Sequence, residues 1–316
     1  GKTTVNADSI RNIISAMPLM VVAVDHNGIF VEWNKVAENI TGWSAVEIVG
    51  NSDPSSLLYP DAEYLRELRE YWTNTKGQYY NRIWKMKCKD GSWKWISWSN
   101  ISHENPVEGW ASWALGADVT EVIEANEELE KKEHHLETIA HVSEVLLSEH
   151  DFDVAILKAF ESLGISSNAD RVYIFENDYD KVTGKYFMNQ TYEWTKGGIV
   201  KQIDNPDLQN LCYDDTCPRW QGTMLERKAI SGRITDFPMS EREMLEPQGI
   251  ISILAVPIYL QDEWWGFIGF DNCTTADLYS PAEEAMLRSA AVAIGGAIQR
   301  EGSTGNCVKR GVKQKK

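Results

Sequence analysis

Residues 20–50 read MVVAVDHNGIFVEWNKVAENITGWSAVEIVG, and this stretch decides the fold of the first half of the chain. Residues 20–25 and 29–33 are short apolar runs rich in Val, Ile and aromatic residues, the composition of strands. Between them His26, Asn27 and Gly28 supply turn chemistry, so the two runs form a hairpin. Asn34 is placed to cap the helix that follows, Gly42 to end it, and Ser44 to start a second short helix over SAVEIVG. Working outward, 61–74 carries Tyr64, Leu65, Leu68, Tyr71 and Trp72 at helical spacing. Three strand runs come next, at 79–88, 93–101 and 110–117, separated by Asp90-Gly91 and by Asn105-Pro106. Two strands, small helices and three strands predict a five-stranded antiparallel sheet with helices on one face, an α+β arrangement.

The chain has 316 residues, which predicts two domains, and its 43% hydrophobic and 25% charged composition lets each bury a core. A net charge of −16 repels phosphates and anionic lipid, so neither nucleic acid nor a membrane is an expected partner. Lys309, Arg310, Lys313, Lys315 and Lys316 are the exception and read as a disordered, solvated basic tail over 301–316. No apolar run approaches the about 20 residues a membrane span needs. The cysteines, Cys88, Cys212, Cys217, Cys273 and Cys307, are scattered and odd in number, which reads as reduced and cytoplasmic. Cys212 and Cys217 have no second pair of ligands near them, so no metal site is expected. The chain opens without Met and reads as a fragment or a processed chain.

Three pieces of the first half, DHNGIFVEWNKVAENITGWSAVEIVG, KMKCKDGSWKWISWS and the exit ALGADVTE, resemble a PAS domain over residues 10–120. The exit resembles the Asp-x-Thr motif that closes PAS cores, which implies a signal-relay role for Asp118 and Thr120. Residues 121–150 then run without Gly or Pro, as expected of a connecting signalling helix whose second half is shared with the next domain. With Val122 at position a, the a and d sites include Val122, Leu129, Leu136 and Ile139, the seam of a short parallel dimer. The alternative is one amphipathic helix lying on its own domain.

Beyond it a second α+β pattern spans 151–300. A helix is expected over 152–163, strands at 171–177 and 185–194, and a loop-rich stretch with short helices at 195–249. Two strong strands follow at 250–260 and 264–272. The capping box Ser280-Pro281-Ala282-Glu283 starts a last helix ending near Gln299. ADRVYIFEN, SILAVPIYLQDEWWGFIGFDN and YSPAEEAMLRSAAVAIGGAIQ resemble a GAF domain. YEW, QIDNP, EPQGI and WGFIGFDNC are similar to a GAF subgroup of prokaryotic sensor histidine kinases, hybrid kinases and related regulators.

No catalytic constellation is visible. His141 with Glu144 lacks the continuation of a kinase phosphoacceptor, and Gly1-Lys2-Thr3 lacks the upstream glycine and strand of a phosphate loop. The chain itself is therefore expected not to be an enzyme, although a longer protein containing it is expected to be a sensor kinase. The PAS resemblance argues against flavin–cysteine photochemistry, because GNSDPSSLLYP carries no Cys. Nine tryptophans precede residue 114, and Trp84 and Trp95 are candidate ligand contacts against the alternative of a plain aromatic core. In the GAF half the candidates are Tyr173, Phe175, Gln190, Tyr192, Trp194, Trp220, Trp265 and Phe267, with Cys273 at a strand end. Residues 151–316 contain no histidine, so haem, a cofactor of some GAF sensors, would rely on sulfur from Cys273.

These readings converge on a sensory input segment, histidine-kinase linked. It is expected to bind a small ligand or redox cofactor and to pass the signal through the connecting helix of a homodimer to a downstream kinase or response regulator. A ligand-free dimerisation scaffold and a haem chromoprotein are the two alternatives. An absorption spectrum separates the latter.

Overall fold

A computed structural model describes residues 12–14 and 16–303. The expected basic tail, Cys307 included, lies outside them apart from the end of the last helix. The chain divides into two compact units, residues 1–129 and 130–316.

In the first unit β1 (Met20–Val24) and β2 (Phe30–Trp33) form the hairpin, and Gly28 takes the left-handed conformation its turn requires. Helix α1 (Lys35–Thr41) is capped by the Asn34 side chain accepting from the Ala37 amide, and ends on Gly42 at φ 75°. Short helices α2 (Ala45–Ile48) and α3 (Ser55–Leu58) lead to α4 (Ala62–Asn74), whose Leu65 and Leu68 are buried. Strands β3 (Tyr79–Lys87), β4 (Trp93–Asn100) and β5 (Ser112–Asp118) complete an antiparallel sheet in the order β2-β1-β5-β4-β3. The core joins Met20, Trp33, Ile48, Leu58, Met86, Ile96 and Trp98 between sheet and helices.

Helix α5 (Thr120–Ser148) is continuous for 29 residues; residues 120–129 belong to the first unit and the rest to the second. It begins one residue before the expected connector and ends two before it.

The second unit has α6 (Phe152–Ser167), β6 (Arg171–Asp180), β7 (Lys185–Thr195) and β8 (Leu211–Cys212). Then come α7 (Tyr213–Thr216), α8 (Pro218–Leu225), β9 (Ile230–Arg233) and α9 (Met239–Leu245). Finally β10 (Ser252–Leu260), β11 (Glu263–Asn272) and α10 (Pro281–Ser303) close the unit. The sheet runs β8-β7-β6-β11-β10-β9, with β6 and β11 at its centre. Each face carries its own core. Helix α6, the second half of α5 and α10 bury Val142, Phe160, Leu163, Leu287 and Ile294 against Ile174, Val256 and Phe270. The short helices α7 to α9 bury Tyr213, Trp220, Met224 and Leu245 against Phe175 and Phe267. Phe160 is fully buried, and its truncation to Ala would cost about 3–5 kcal/mol.

In the second unit β7 and β11 depart from simple alternation. In β7, Ile174 pairs with Tyr192 but Phe175 pairs with Gln190, so Thr191 is an extra residue. In β11, Ile258 pairs with Gly266 but Tyr259 with Trp264, so Trp265 is extra. Both bulges redirect side chains that the sequence reading had grouped together.

Candidate functional site

A cavity of about 290 Å³ opens in the first unit between the sheet and helices α3 and α4. Its wall is made by β-strand residues one face apart, Val22 and Val24 on β1, Trp84 and Met86 on β3, Trp98 and Asn100 on β4. From the helix side come Leu58, Tyr59 and Trp72. Gly116 on β5 makes room for the Trp98 ring: a Cβ there would lie 2.8 Å from it. The rings meet edge to face, Tyr79 with Trp84 at 4.9 Å, Trp72 with Trp84 at 5.8 Å and Tyr59 with Trp72 at 6.3 Å. No Asp, Glu, Lys, Arg or His lines it. The buried indole N–H groups of Trp72 and Trp98 have no hydrogen-bond partner. The Trp98 N–H approaches the Tyr59 hydroxyl closely enough to act on it, without hydrogen-bond geometry. Burial pushes the Tyr59 and Tyr79 phenols up, Tyr79 to about 12, so both stay protonated. Trp84 thus lines the cavity. Trp95 does not: its position is opposite Lys85, on the other face of β4, and the Lys85 ammonium sits 5.3 Å from its ring centroid.

The exit of this unit is a compact clamp. Asp118 Oδ1 accepts from the Thr120 amide at 3.0 Å and from its hydroxyl at 2.5 Å. The Trp95 amide donates to Thr120 Oγ1 at 2.9 Å, and Lys94 lies 3.1 Å from Asp118. Partial burial pushes the Asp118 carboxyl up, but the Thr120 donors and Lys94 outweigh it and hold the carboxyl below its ordinary value. The start of α5 is thereby tied to β4 as well as to β5.

In the second unit the predicted residues part company. Tyr173, Phe175, Gln190, Trp220 and Phe267 gather at one cavity under α8 and α9. Phe175 and Phe267 stack at 5.0 Å, and the Trp220 indole donates to Glu241 at 2.9 Å. This cavity measures about 20 Å³, room for one water molecule. Gln190 Oε1 beside it is buried without a partner. Tyr192 and Trp194 follow the bulge at Thr191 and pack with Trp265 on the opposite core. There the Tyr192 hydroxyl donates to Asp153 at 2.6 Å.

Sequence reading missed the buried charge network beside the cavity. Arg171 is paired with Asp271 at 3.0 Å and Glu193 at 3.3 Å, all three side chains at most 2% exposed. Its guanidinium also donates to the Val200 and Gln248 carbonyls. Asp271 accepts from the Tyr173 hydroxyl at 2.8 Å. Glu193 accepts the Gln202 and Ile203 amides. Burial pushes Asp271 up to about 6 against the pull of Arg171 and the Tyr173 hydroxyl, and the neighbouring Glu193 carboxylate adds a smaller push in the same direction. A buried Arg at a strand start followed by an Asp at the end of the neighbouring strand was the only available signal.

Cys273 lies apart from the cavity, its amide donating to Asp170 at 2.8 Å. Burial and the Asp271 carboxylate push its thiol up to about 11, the opposite of what a thiolate ligand requires. Among the described residues, no group of three or more His, Cys, Asp or Glu could hold a metal ion, and no helix is long and apolar enough to cross a membrane. Along α5, Val122, Leu129 and Leu136 are 59%, 54% and 70% exposed, whereas Ile139 turns with Val142 and Leu146 onto the core of the second unit.

The two units carry the features of a PAS domain followed by a GAF domain. Residues 8–92 match the family model of the PAS fold and residues 151–298 that of the GAF domain. The chain is a PAS–GAF sensory module. In sequence it is similar to the methanogenesis regulatory histidine kinase FilI of Methanothrix harundinacea, 41% identical over 195 residues. That match covers 62% of this chain, and the chain spans 22% of the relative's length. Among solved structures it is similar to a phycocyanobilin-bound GAF domain from a cyanobacterial phytochrome, at 16% identity and a TM-score of 0.44, covering 54% of this chain and 97% of that one. It is also similar to the chromophore-binding domain of Stigmatella aurantiaca bacteriophytochrome, at 11% identity and a TM-score of 0.42, covering 90% and 93%.

Proposed function

We propose that the chain is the input segment of a histidine kinase, that its PAS half senses a small ligand, and that α5 relays the change. The observation that carries this reading is the Asp118–Thr120 clamp. It ties the strands walling the 290 Å³ cavity to the first turn of an uninterrupted 29-residue helix. A ligand that shifts Trp98 or Trp84 moves β4, and β4 holds Thr120 through the Trp95 amide. Helix α5 then changes its pitch or rotation, and Val122, Leu129 and Leu136 pair with the same residues of a second copy. The GAF half acts as a folded relay in this scheme. Its cavity would have to open by movement of α8 and α9 before haem or any other tetrapyrrole entered.

The test is helix phase in the full-length protein. Inserting seven residues within the exposed 124–134 stretch restores the heptad register, whereas inserting four rotates everything downstream. Autophosphorylation is expected to persist after the first change and to become locked high or low after the second. Equal activity in both proteins would end the relay reading, and absence of autophosphorylation in the unmodified protein would end the kinase reading.

A further inference from the structure

We infer that the open half of the outer PAS sheet face, where Lys85 stands between Trp93 and Trp95, docks the acidic flank of α5 from a second copy of this chain. This inference rests on the reading that α5 pairs with a second copy, and it adds the place where the PAS sheet touches that copy.

The outer face of the sheet is covered only in part. At its β1–β5 end Ile14 and Met17 pack with Val21, Ala23, Trp110 and Trp113. At its β3–β4 end Ile83 and Trp93 are exposed, and Lys85 and Lys87 stand opposite Trp95 and Trp93 in the register. The Lys85 ammonium lies 5.4 Å from the Trp93 ring centroid and 5.3 Å from that of Trp95, and Lys87 lies 5.9 Å from Trp93. The rings restrain both ammonium groups, so an anion that meets them has little left to order. Neighbouring Lys89 and Lys94 are paired with Glu47 and Asp118, whereas among the described residues no carboxylate pairs with Lys85 or Lys87. Two open cations between tryptophans, on a chain of net charge −16, suit an acidic partner with an apolar stripe. Helix α5 has that chemistry: residues 121–137 hold seven glutamates and two lysines. In the heptad that places Val122 and Leu129 in the seam, Glu121, Glu124 and Glu128 line one flank of it. The chain's own α5 does not serve the patch. It runs unbroken from Thr120 and cannot bend back, and neither Glu121 nor Glu124 makes an ion pair with Lys85 or Lys87. A second copy can serve it. The Val119 amide donates to the Trp95 carbonyl at 2.9 Å, so the patch borders the point where α5 leaves the sheet. Paired helices run about 8–10 Å apart. Strand β3 is two strand spacings, also about 10 Å, from β5. A helix running beside α5 on that side comes level with Lys85.

The experiment measures dimerisation of the intact chain by sedimentation equilibrium at about 0.15 M salt, where repulsion between acidic chains is screened beyond about 8 Å. Lys85→Glu with Lys87→Glu is expected to weaken the dimer at least about tenfold. Glu124→Lys with Glu128→Lys is expected to do the same, because each pair of changes sets like charges face to face. Mixed together, the two altered chains are complementary and should associate within about threefold of the unmodified affinity. With one of them ¹⁵N-labelled, native mass spectrometry reads the heterodimer. A dimer indifferent to the lysine changes leaves this face to another partner or to solvent, and overturns the inference while the pairing of α5 stands. Weakening by the lysine changes without recovery in the mixture puts another surface of the second copy on the patch and overturns the choice of α5. Tighter association of the Glu→Lys chain alone is relief of net charge and overturns the inference too. An unmodified chain that is monomeric at high micromolar concentration overturns the pairing reading together with the inference. Should the Lys→Glu chain lose its PAS melting transition, Lys85→Gln with Lys87→Gln takes its place, with a loss of about threefold expected.

Discussion

Replacing Arg171 by Met removes one buried cation and leaves two buried carboxylates, Asp271 and Glu193, which are 1% and 0% exposed. Methionine fills most of the volume, so the loss is electrostatic rather than a cavity. Breaking a buried pair from one side costs about 3–5 kcal/mol, and the Val200 and Gln248 carbonyls lose their donor as well. The cost depends on pH, with a definite sign. Asp271 titrates near 6 in the fold, above its ordinary 3.8, so the stability it contributes is present below pH 3.8 and is lost as pH rises through 6. That difference amounts to about 3 kcal/mol in the unmodified protein. Without Arg171 the folded-state value rises further, and a proton on Asp271 relieves much of the repulsion. Arg171→Met should therefore lose the full amount near neutrality and markedly less at roughly pH 5. Urea unfolding followed by amide-exchange mass spectrometry, read on peptides from β6 and β11, measures the second unit directly. A loss below about 1 kcal/mol near neutrality, or an equal loss at both pH values, would refute the reasoning.

Asp118→Ala removes the acceptor of two Thr120 donors and should speed limited proteolysis near residues 118–125 while the PAS melting transition survives; a PAS unit that no longer melts cooperatively would show the clamp to be structural. Changing Leu129 and Leu136 together to Glu should convert a dimer to a monomer in light scattering, and an unmodified chain already monomeric at high concentration would remove the seam from the scheme. Gly266→Ala places a Cβ 2.2 Å from the Phe175 carbonyl oxygen, backbone that cannot swing away, so β6 and β11 should separate locally with a loss of roughly 2–4 kcal/mol in urea unfolding. Cys273 should alkylate slowly with iodoacetamide near pH 8 and only approach the rate of a free thiol at roughly pH 11; prompt labelling near neutrality would contradict its burial.

Both sheets were legible from alternation, turn residues and caps. The hairpin at 20–33, the Asn34 cap and the capping box at Ser280 all form as their chemistry dictates. Helix α6 runs past Leu163 to Ser167 because Gly164 gives the Trp194 ring room: a Cβ there would meet it at 2.1 Å. Strands β8 and β9 were not anticipated; Leu211–Cys212 is two residues long and Ile230–Arg233 contains Ser and Gly, so neither has a readable period. The candidate site was legible by residue type and less so by face. Trp84 and Trp95 are similar in sequence context, and only the pairing of Trp95 with Lys85 separates them. The charge network at Arg171 escaped because its members are 22 and 100 positions apart along the chain, a separation no local pattern reports.

The extra residues at Thr191 and Trp265 work like frameshifts in the wall of the second unit. Up to Gln190 even-numbered positions of β7 face the closed cavity, and from Tyr192 onward even numbers face the helices instead. Excising Thr191 would leave a regular ladder, with Gln190 still opposite Phe175 and Tyr192 still opposite Ile174, so Tyr192 and Trp194 would stay on the face they occupy now. A relative lacking that one residue would thus read with a different alternation of letters and yet present the same interior. Sequences of this group should accordingly be compared with a permitted single-residue gap at each of the two positions before any cavity is inferred from one to another.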